Sequence, residues 1–142
     1  MNIFSIWFTV NRACNLSCKW CYAQETDKNC NMELDIAKQL INISTDNGIK
    51  NFKLIGGDPT IYLYFWDVIE YIIKTNASIT IVTNGIKLAE DNFCLKLKEY
   101  TYPKLHLGIS LKGSTDEEYL RDCGSKSYSQ VLAGIKNCDH YN

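Results

Sequence analysis

The chain has almost no net charge: 15 Lys and Arg stand against 16 Asp and Glu, leaving −1 at neutral pH. Long basic runs are lacking as well, so nothing points to a polyanion, and nucleic acid is not an expected partner. There is no long hydrophobic run. The apolar stretch Ile3–Val10 is too short to span a bilayer and no basic segment precedes it, so it reads as neither anchor nor signal peptide. The expected location is therefore the cytoplasm, with no membrane partner. No repeat, linker or low-complexity stretch divides the 142 residues, which predicts one domain over 1–142. Hydrophobic residues at 46% and charged residues at 22% describe an ordinary globular chain rather than a disordered one.

Cysteine is what the chain has in excess: seven residues, an odd number. An even set in a secreted protein would suggest a disulfide framework. Reduced thiols in a cytoplasmic chain suit metal binding instead. Three of them, Cys14, Cys18 and Cys21, form a C-x3-C-x2-C run directly after the apolar stretch. Closely spaced thiolates of this kind can point at one iron–sulfur cubane. They supply three ligands where a 4Fe–4S cluster takes four, so one iron is left open to a small molecule. Zinc needs four ligands, often in two paired knuckles, but Cys18–Cys21 is the one C-x2-C pair and His106 and His140 stand far off. A redox dithiol at Cys18–Cys21 would leave Cys14 unexplained.

Short β-rich runs alternate with longer helical ones, which predicts βα units on a parallel sheet. The strands are expected at Ile3–Val10, Phe52–Ile55, Ile79–Val82 and Leu105–Leu111. Helices are expected near Glu33–Asp46, Phe65–Lys74 and Leu88–Tyr100, with a fourth beginning near Tyr128. In the first helix Ile36, Ala37, Leu40 and Ile43 mark the inner face and Asp35, Lys38 and Gln39 the outer. Asn31 is the expected cap and Gly48 the left-handed stop. A closed eight-unit barrel needs roughly 250 residues. The fold class is therefore α/β, with an open, partial TIM-like barrel of about four βα units. Chemistry in such folds collects beyond the carboxyl ends of the strands. That is where Cys14–Cys21, Gly56–Thr60, Thr83–Gly85 and Ser110–Lys112 fall.

The segment Cys14-Asn15-Leu16-Ser17-Cys18-Lys19-Trp20-Cys21 resembles the C-x3-C-x-aromatic-C signature of the radical S-adenosylmethionine (radical SAM) enzymes, with Trp20 as the aromatic. Gly56-Gly57-Asp58-Pro59-Thr60 is similar to that family's Gly-Gly-Glu-Pro turn, with Asp58 where glutamate is commoner. Thr83-Asn84-Gly85 and Ser110-Leu111-Lys112-Gly113 resemble its segments after strands three and four. The likeness runs from about residue 3 to about 138. It implies a 4Fe–4S cluster on Cys14, Cys18 and Cys21, and S-adenosylmethionine chelating the open iron. A one-electron donor, flavodoxin- or ferredoxin-like, would reduce the cluster. Cleavage of S-adenosylmethionine would then give a 5′-deoxyadenosyl radical that abstracts hydrogen from a substrate. A low potential and exclusion of water are the physical demands.

The resemblance also implies roles for single residues. Trp20 would lie beside the cluster with its backbone near the adenine. Gly56, Gly57 and Asp58 would form the turn that receives the methionine amine. Asn84, Ser110 and Lys112 would be further S-adenosylmethionine contacts, and Arg121 a weaker candidate for its carboxylate. Each has a plainer reading: a tight turn for the glycines, a turn signal at Thr83–Gly85, solvent contact for Ser110, Lys112 and Arg121. Tyr22 reads as core, the run Tyr62, Tyr64, Phe65, Trp66 as core and loop packing, and Cys30, Cys94, Cys123 and Cys138 as structural thiols. The chain departs from the family in length, holding about four units where six are usual. Two other classes stand beside the enzyme reading. One is a glycyl-radical activating protein, like the short activase of anaerobic ribonucleotide reductase, which shares Gly-Gly-Asp-Pro. The other is a non-catalytic iron–sulfur or electron-transfer protein. An open pocket in so short a chain would suit a peptide or protein substrate.

Overall fold

The computed structural model describes residues 5–100 and 102–140. It contains β1 (Ile6–Thr9), α1 (Leu34–Asp46), β2 (Asn51–Ile55), α2 (Phe65–Lys74), β3 (Ser78–Thr83), α3 (Asp91–Glu99), β4 (Leu105–Ile109), α4 (Asp116–Cys123) and α5 (Tyr128–His140). Short 3-10 turns cover Pro59–Ile61 and Ile86–Ala89. The strand order is β1-β2-β3-β4, with β1 parallel to β2 and β2 parallel to β3. Among the described residues the sheet does not close, and β1 and β4 are its edges, as expected for a partial barrel. Of the expected first strand, Ile3 and Phe4 lie outside the described residues.

Two compact units divide the chain. The first holds residues 5–14, 27–82 and 102–108 among those described, and so nearly all of the sheet with α1 and α2. Its core follows the period of two: Phe52 and Leu54 on β2 and Ile79 and Ile81 on β3 are buried, with Phe52 beside Ile79 and Leu54 beside Ile81. The stripe Val68, Ile69 and Ile72 of α2 is fully buried, and α1 packs on α2. The second unit holds residues 15–26, 83–100 and 109–140, with α3, α4 and α5. There α5 lies against the turn Ile86–Ala89 so closely that a Cβ on Gly134 would stand 2.6 Å from the Gly85 carbonyl oxygen.

Four expectations change. On α1 the buried residues are Ala37 and Ile41, while Ile36, Leu40 and Ile43 are exposed. Alanine lets the backbone approach its neighbours, so the inner face is the narrower one. Asn31 does not cap that helix: Glu33 occupies the cap position, and the Asn31 amide donates to the Asn29 carbonyl instead. Gly48 does follow the helix with φ +84°. The helix expected over Leu88–Tyr100 is split, because Glu90 is extended (φ −85°, ψ 113°) between the 3-10 turn and α3. β4 stops at Ile109, so Ser110 and Leu111 lie beyond it. α4 is a helix beyond those expected, and its start carries its own signal. Thr115 caps it by accepting from the Glu118 N–H, and the Glu118 carboxylate reaches back to the Ser114 N–H, a variant of the capping box.

Candidate cluster and cosubstrate site

In the first unit the turn after β2 is pressed onto the segment that leads out of β1. A Cβ on Gly56 would meet the Asn11 side-chain oxygen at 2.2 Å, and one on Gly57 would meet the Ala13 carbonyl oxygen at 2.0 Å. Real Cβ atoms cannot stand there, so glycine is required at both positions for close backbone approach. The Gly57 N–H donates to the Asn11 carbonyl (3.0 Å) and the Asp58 N–H to the Ala13 carbonyl (2.7 Å). Asn11 is itself buried and donates its amide to the Asp58 carbonyl at 2.9 Å and to that of Ala13 at 3.3 Å. The turn thereby fixes the backbone that runs directly into Cys14. Asn11 was not singled out from sequence; an asparagine at a strand end, able to bond two backbone segments at once, was the available signal.

Asp58 is 1% exposed, and its carboxylate accepts from both the N–H (3.0 Å) and the hydroxyl (2.5 Å) of Thr60. It caps the 3-10 turn that Pro59 begins. Tyr62 and Phe65 that follow are buried, and the Tyr62 hydroxyl donates to the Met32 carbonyl at 2.6 Å. This is the core packing expected of the aromatic run.

The second unit holds Cys18 and Cys21, both half-buried. Their loop is tied to the end of α4: the Ser17 N–H donates to the Cys123 carbonyl and the Lys19 N–H to that of Asp122, each at 2.9 Å. Leu16 and Ala23 are the buried anchors of the segment. The Ala23 N–H points at the Cys21 sulfur at 3.4 Å. Burial pushes the Cys18 thiol up to about 11; a hydrogen bond with the Cys123 thiol adds to the rise, and the Lys112 ammonium opposes it. Trp20 is 56% exposed. Tyr22 is 72% exposed, contrary to the expectation of a core residue, because Ala23 takes the inward position of that turn.

The same unit contains the other candidates. The Asn84 side chain donates to Asn15 at 2.6 Å and accepts from the Ile86 N–H, while Thr83 Oγ1 accepts from the Gly85 N–H. The Ser110 N–H donates to the Thr83 carbonyl and the Lys112 N–H to the Tyr119 hydroxyl. Arg121 is exposed and its guanidinium is engaged by Asp122. Of the remaining cysteines, Cys30 is exposed, and Cys94 is buried with its thiol donating to the Leu88 carbonyl. Burial pushes Cys94 up to about 12, and it also hydrogen-bonds Cys138.

The donor set fits an iron–sulfur cluster in kind, with three thiols in eight residues and a backbone N–H aimed at one sulfur. Among the described residues no three His, Cys, Asp or Glu side chains converge on a single metal ion. A cubane asks for less convergence, since each iron takes one thiolate. No helix among the described residues is long and apolar enough to cross a membrane.

A parallel sheet with cysteines after its first strand and a glycine turn after its second defines a class, and the chain belongs to it: the radical SAM superfamily, whose family model matches residues 8–142. The cofactors of that superfamily are a 4Fe–4S cluster and S-adenosylmethionine. One relative, a probable GTP 3′,8-cyclase of Metallosphaera sedula, is 29% identical over 131 residues, covering 90% of this chain and 40% of that protein. The antilisterial bacteriocin subtilosin biosynthesis protein AlbA of Bacillus subtilis is 26% identical over 131 residues, covering 91% of this chain and 29% of that protein. The chain thus spans well under half of either relative.

Solved structures agree in fold. Streptococcus suis SuiB bound to its precursor peptide SuiA superposes with a TM-score of 0.83 at 16% identity, over 98% of this chain and 31% of that one. The protein anSMEcpe with bound AdoMet and Kp18Cys peptide gives 0.77 at 20% identity, over 97% and 41%.

Proposed function

We propose that this chain is the cluster- and cosubstrate-binding part of a radical SAM enzyme, the N-terminal portion of its partial barrel. Cys14, Cys18 and Cys21 hold the 4Fe–4S cluster. Gly56, Gly57 and Asp58 shape the turn that meets the methionine amine, and Trp20, Asn84, Ser110 and Lys112 supply further S-adenosylmethionine contacts. When bound, the pair supplies one-electron cleavage of a sulfonium and, from it, hydrogen abstraction by a carbon radical. One observation carries the reading: the two glycines lock onto residues 11–13, so the cosubstrate turn and the first cysteine are built as one piece. A non-catalytic electron-transfer protein has no need of such a turn.

The substrate class we favour is a peptide or protein. Two structural neighbours were solved with peptides and one relative is named for bacteriocin biosynthesis, which supports this reading. Reduction would come from a flavodoxin- or ferredoxin-like one-electron donor. The decisive experiment is anaerobic reconstitution of the chain with iron and sulfide, followed by EPR of the reduced protein with and without S-adenosylmethionine. The expected result is a 4Fe–4S signal that shifts on addition, with 5′-deoxyadenosine released. A cluster indifferent to S-adenosylmethionine would point to the non-catalytic electron-transfer class or to a portion that needs the rest of its barrel to bind the cosubstrate, and no cluster would sink the proposal.

A further inference from the structure

Helix α4 grips the chain twice. At its end the Cys123 and Asp122 carbonyls receive the Ser17 and Lys19 N–H groups of the cysteine loop, each at 2.9 Å. Nearer its start it holds the segment that follows β4. That segment leaves the sheet ladder once the Ser110 N–H has reached the Thr83 carbonyl (2.8 Å), so its later amides need other partners. The Tyr119 hydroxyl accepts the Lys112 N–H at 3.0 Å, and the Glu118 carboxylate accepts both the Ser114 N–H (2.6 Å) and the Ser114 hydroxyl (2.9 Å). The fit is close: a Cβ on Gly113 would stand 3.1 Å from the Glu118 side chain and 3.5 Å from the Tyr119 ring.

Tyr119 is the largest fully buried side chain among the described residues. Phenylalanine would fill the same space without burying a hydroxyl, which is costly unless it is bonded. What the hydroxyl adds is one acceptor for one main-chain amide, inside the segment 110–113. Four residues on, about 6 Å along the axis at 1.5 Å per residue, the same helix holds the cysteine loop. One turn of helix thus sets the spacing between the two segments. We propose that Tyr119 is a positioning residue that, through the Lys112 N–H, holds residues 110–113 where they meet S-adenosylmethionine. This rests on the reading above, that Ser110 and Lys112 are contacts of that cosubstrate.

The test is a titration of the reconstituted 142-residue protein with S-adenosylmethionine, followed by the shift of the reduced-cluster EPR signal, in the wild type, Y119F and Y102F. Y119F removes only the acceptor. Its dissociation constant for S-adenosylmethionine should rise about threefold to tenfold, the scale of one hydrogen bond. Its iron and sulfide content, and its EPR signal before the addition, should match the wild type. Y102F removes a comparable bond in the other unit, from the Tyr102 hydroxyl to the Ala77 carbonyl (2.8 Å), and should bind within about twofold of the wild type. A merely structural Tyr119 would lower the urea midpoint as Tyr102 does and leave the two affinities alike. Wild-type affinity in Y119F, or an equal loss in Y102F, overturns the proposal, and so does loss of the cluster from folded Y119F. Should Y119F not fold, G113A displaces the same segment from the loop side, and wild-type affinity there overturns it. A wild-type cluster that ignores S-adenosylmethionine defeats the reading beneath the proposal, a result distinct from equal affinities.

Discussion

Two of the connections that join a strand to the following helix are built in opposite ways. Between β2 and α2 the turn Gly56–Thr60 satisfies itself: Asp58 and Thr60 are buried against each other, and the glycines lie flat on residues 11–13. Between β1 and α1, residues 15–26 leave Trp20 and Tyr22 in solvent and Cys18 and Cys21 half-buried, on a loop anchored by buried Leu16 and Ala23, by two main-chain bonds to α4 and by the Gln24 amide donating to the Cys18 and Lys19 carbonyls. The first connection is shaped before any ligand arrives. The second is bonded within itself as well, but it presents half-buried thiols and exposed aromatics at its surface, as suits a segment that binds something further.

That contrast can be broken outright at the cysteines. Replacing Cys14, Cys18 or Cys21 with Ala should reduce iron and sulfide in the reconstituted protein to background while leaving the far-UV circular dichroism unchanged; a variant that retains its cluster would remove that cysteine from the ligand set. The next largest effect belongs to the sealed turn. Gly57→Ala drives a Cβ into backbone, so its urea midpoint should fall by the equivalent of roughly 2–4 kcal/mol. Gly48→Ala, with no neighbour within 4 Å and only its φ of +84° to accommodate, should cost about 1 kcal/mol. Equal losses would mean the close approach at Gly57 is not real.

Asp58→Ala sharpens the same side of the comparison. It leaves the Thr60 N–H without its buried acceptor and should destabilise by about 1–3 kcal/mol, with Asp58→Asn recovering part of it. The smallest change is expected in the cysteine loop. Lys19→Ala removes an exposed ion pair with Asp122 (3.4 Å, Lys19 63% exposed), and its urea midpoint should stay within measurement scatter. A clear loss there would show that this exposed ion pair helps to hold the loop.

Much of the architecture could be read from residue pattern. α2 runs over the expected Phe65–Lys74 because Val68, Ile69 and Ile72 repeat at helical spacing with no competing stripe. α1 misleads on its face, since it has two apolar stripes and only packing decides which is covered. Ile36, Leu40 and Ile43 are the larger residues, yet Ala37 and Ile41 are the buried ones. The break at Glu90 carries no Gly or Pro to announce it. α4 did announce itself, through Thr115 and Glu118, beneath a strongly acidic first turn.

The site divides the same way. Spacing singles out Cys14, Cys18 and Cys21, and glycine doublets at a strand end single out Gly56 and Gly57. The reason those glycines are needed lies in residues 11–13, far away in sequence, and no local pattern shows a close approach. The role of α4 is hidden for the same reason: nothing local shows that the Asp122 and Cys123 carbonyls receive the Lys19 and Ser17 N–H groups.

The interleaving of the two units has a consequence for the order of events during synthesis. The chain leaves the first unit after Cys14, returns at Asp27, leaves again after Val82 and returns at Tyr102. Cys18 and Cys21 are translated well before α4, whose Asp122 and Cys123 carbonyls hold their loop. At ribosomal rates the hundred or so residues between Cys21 and Cys123 take roughly 5–20 s to synthesise. Through that interval Cys18 and Cys21 are translated while their loop still lacks its bonds to α4. Until α4 follows, those two thiols are presented on a loop that has none of its bonds to that helix.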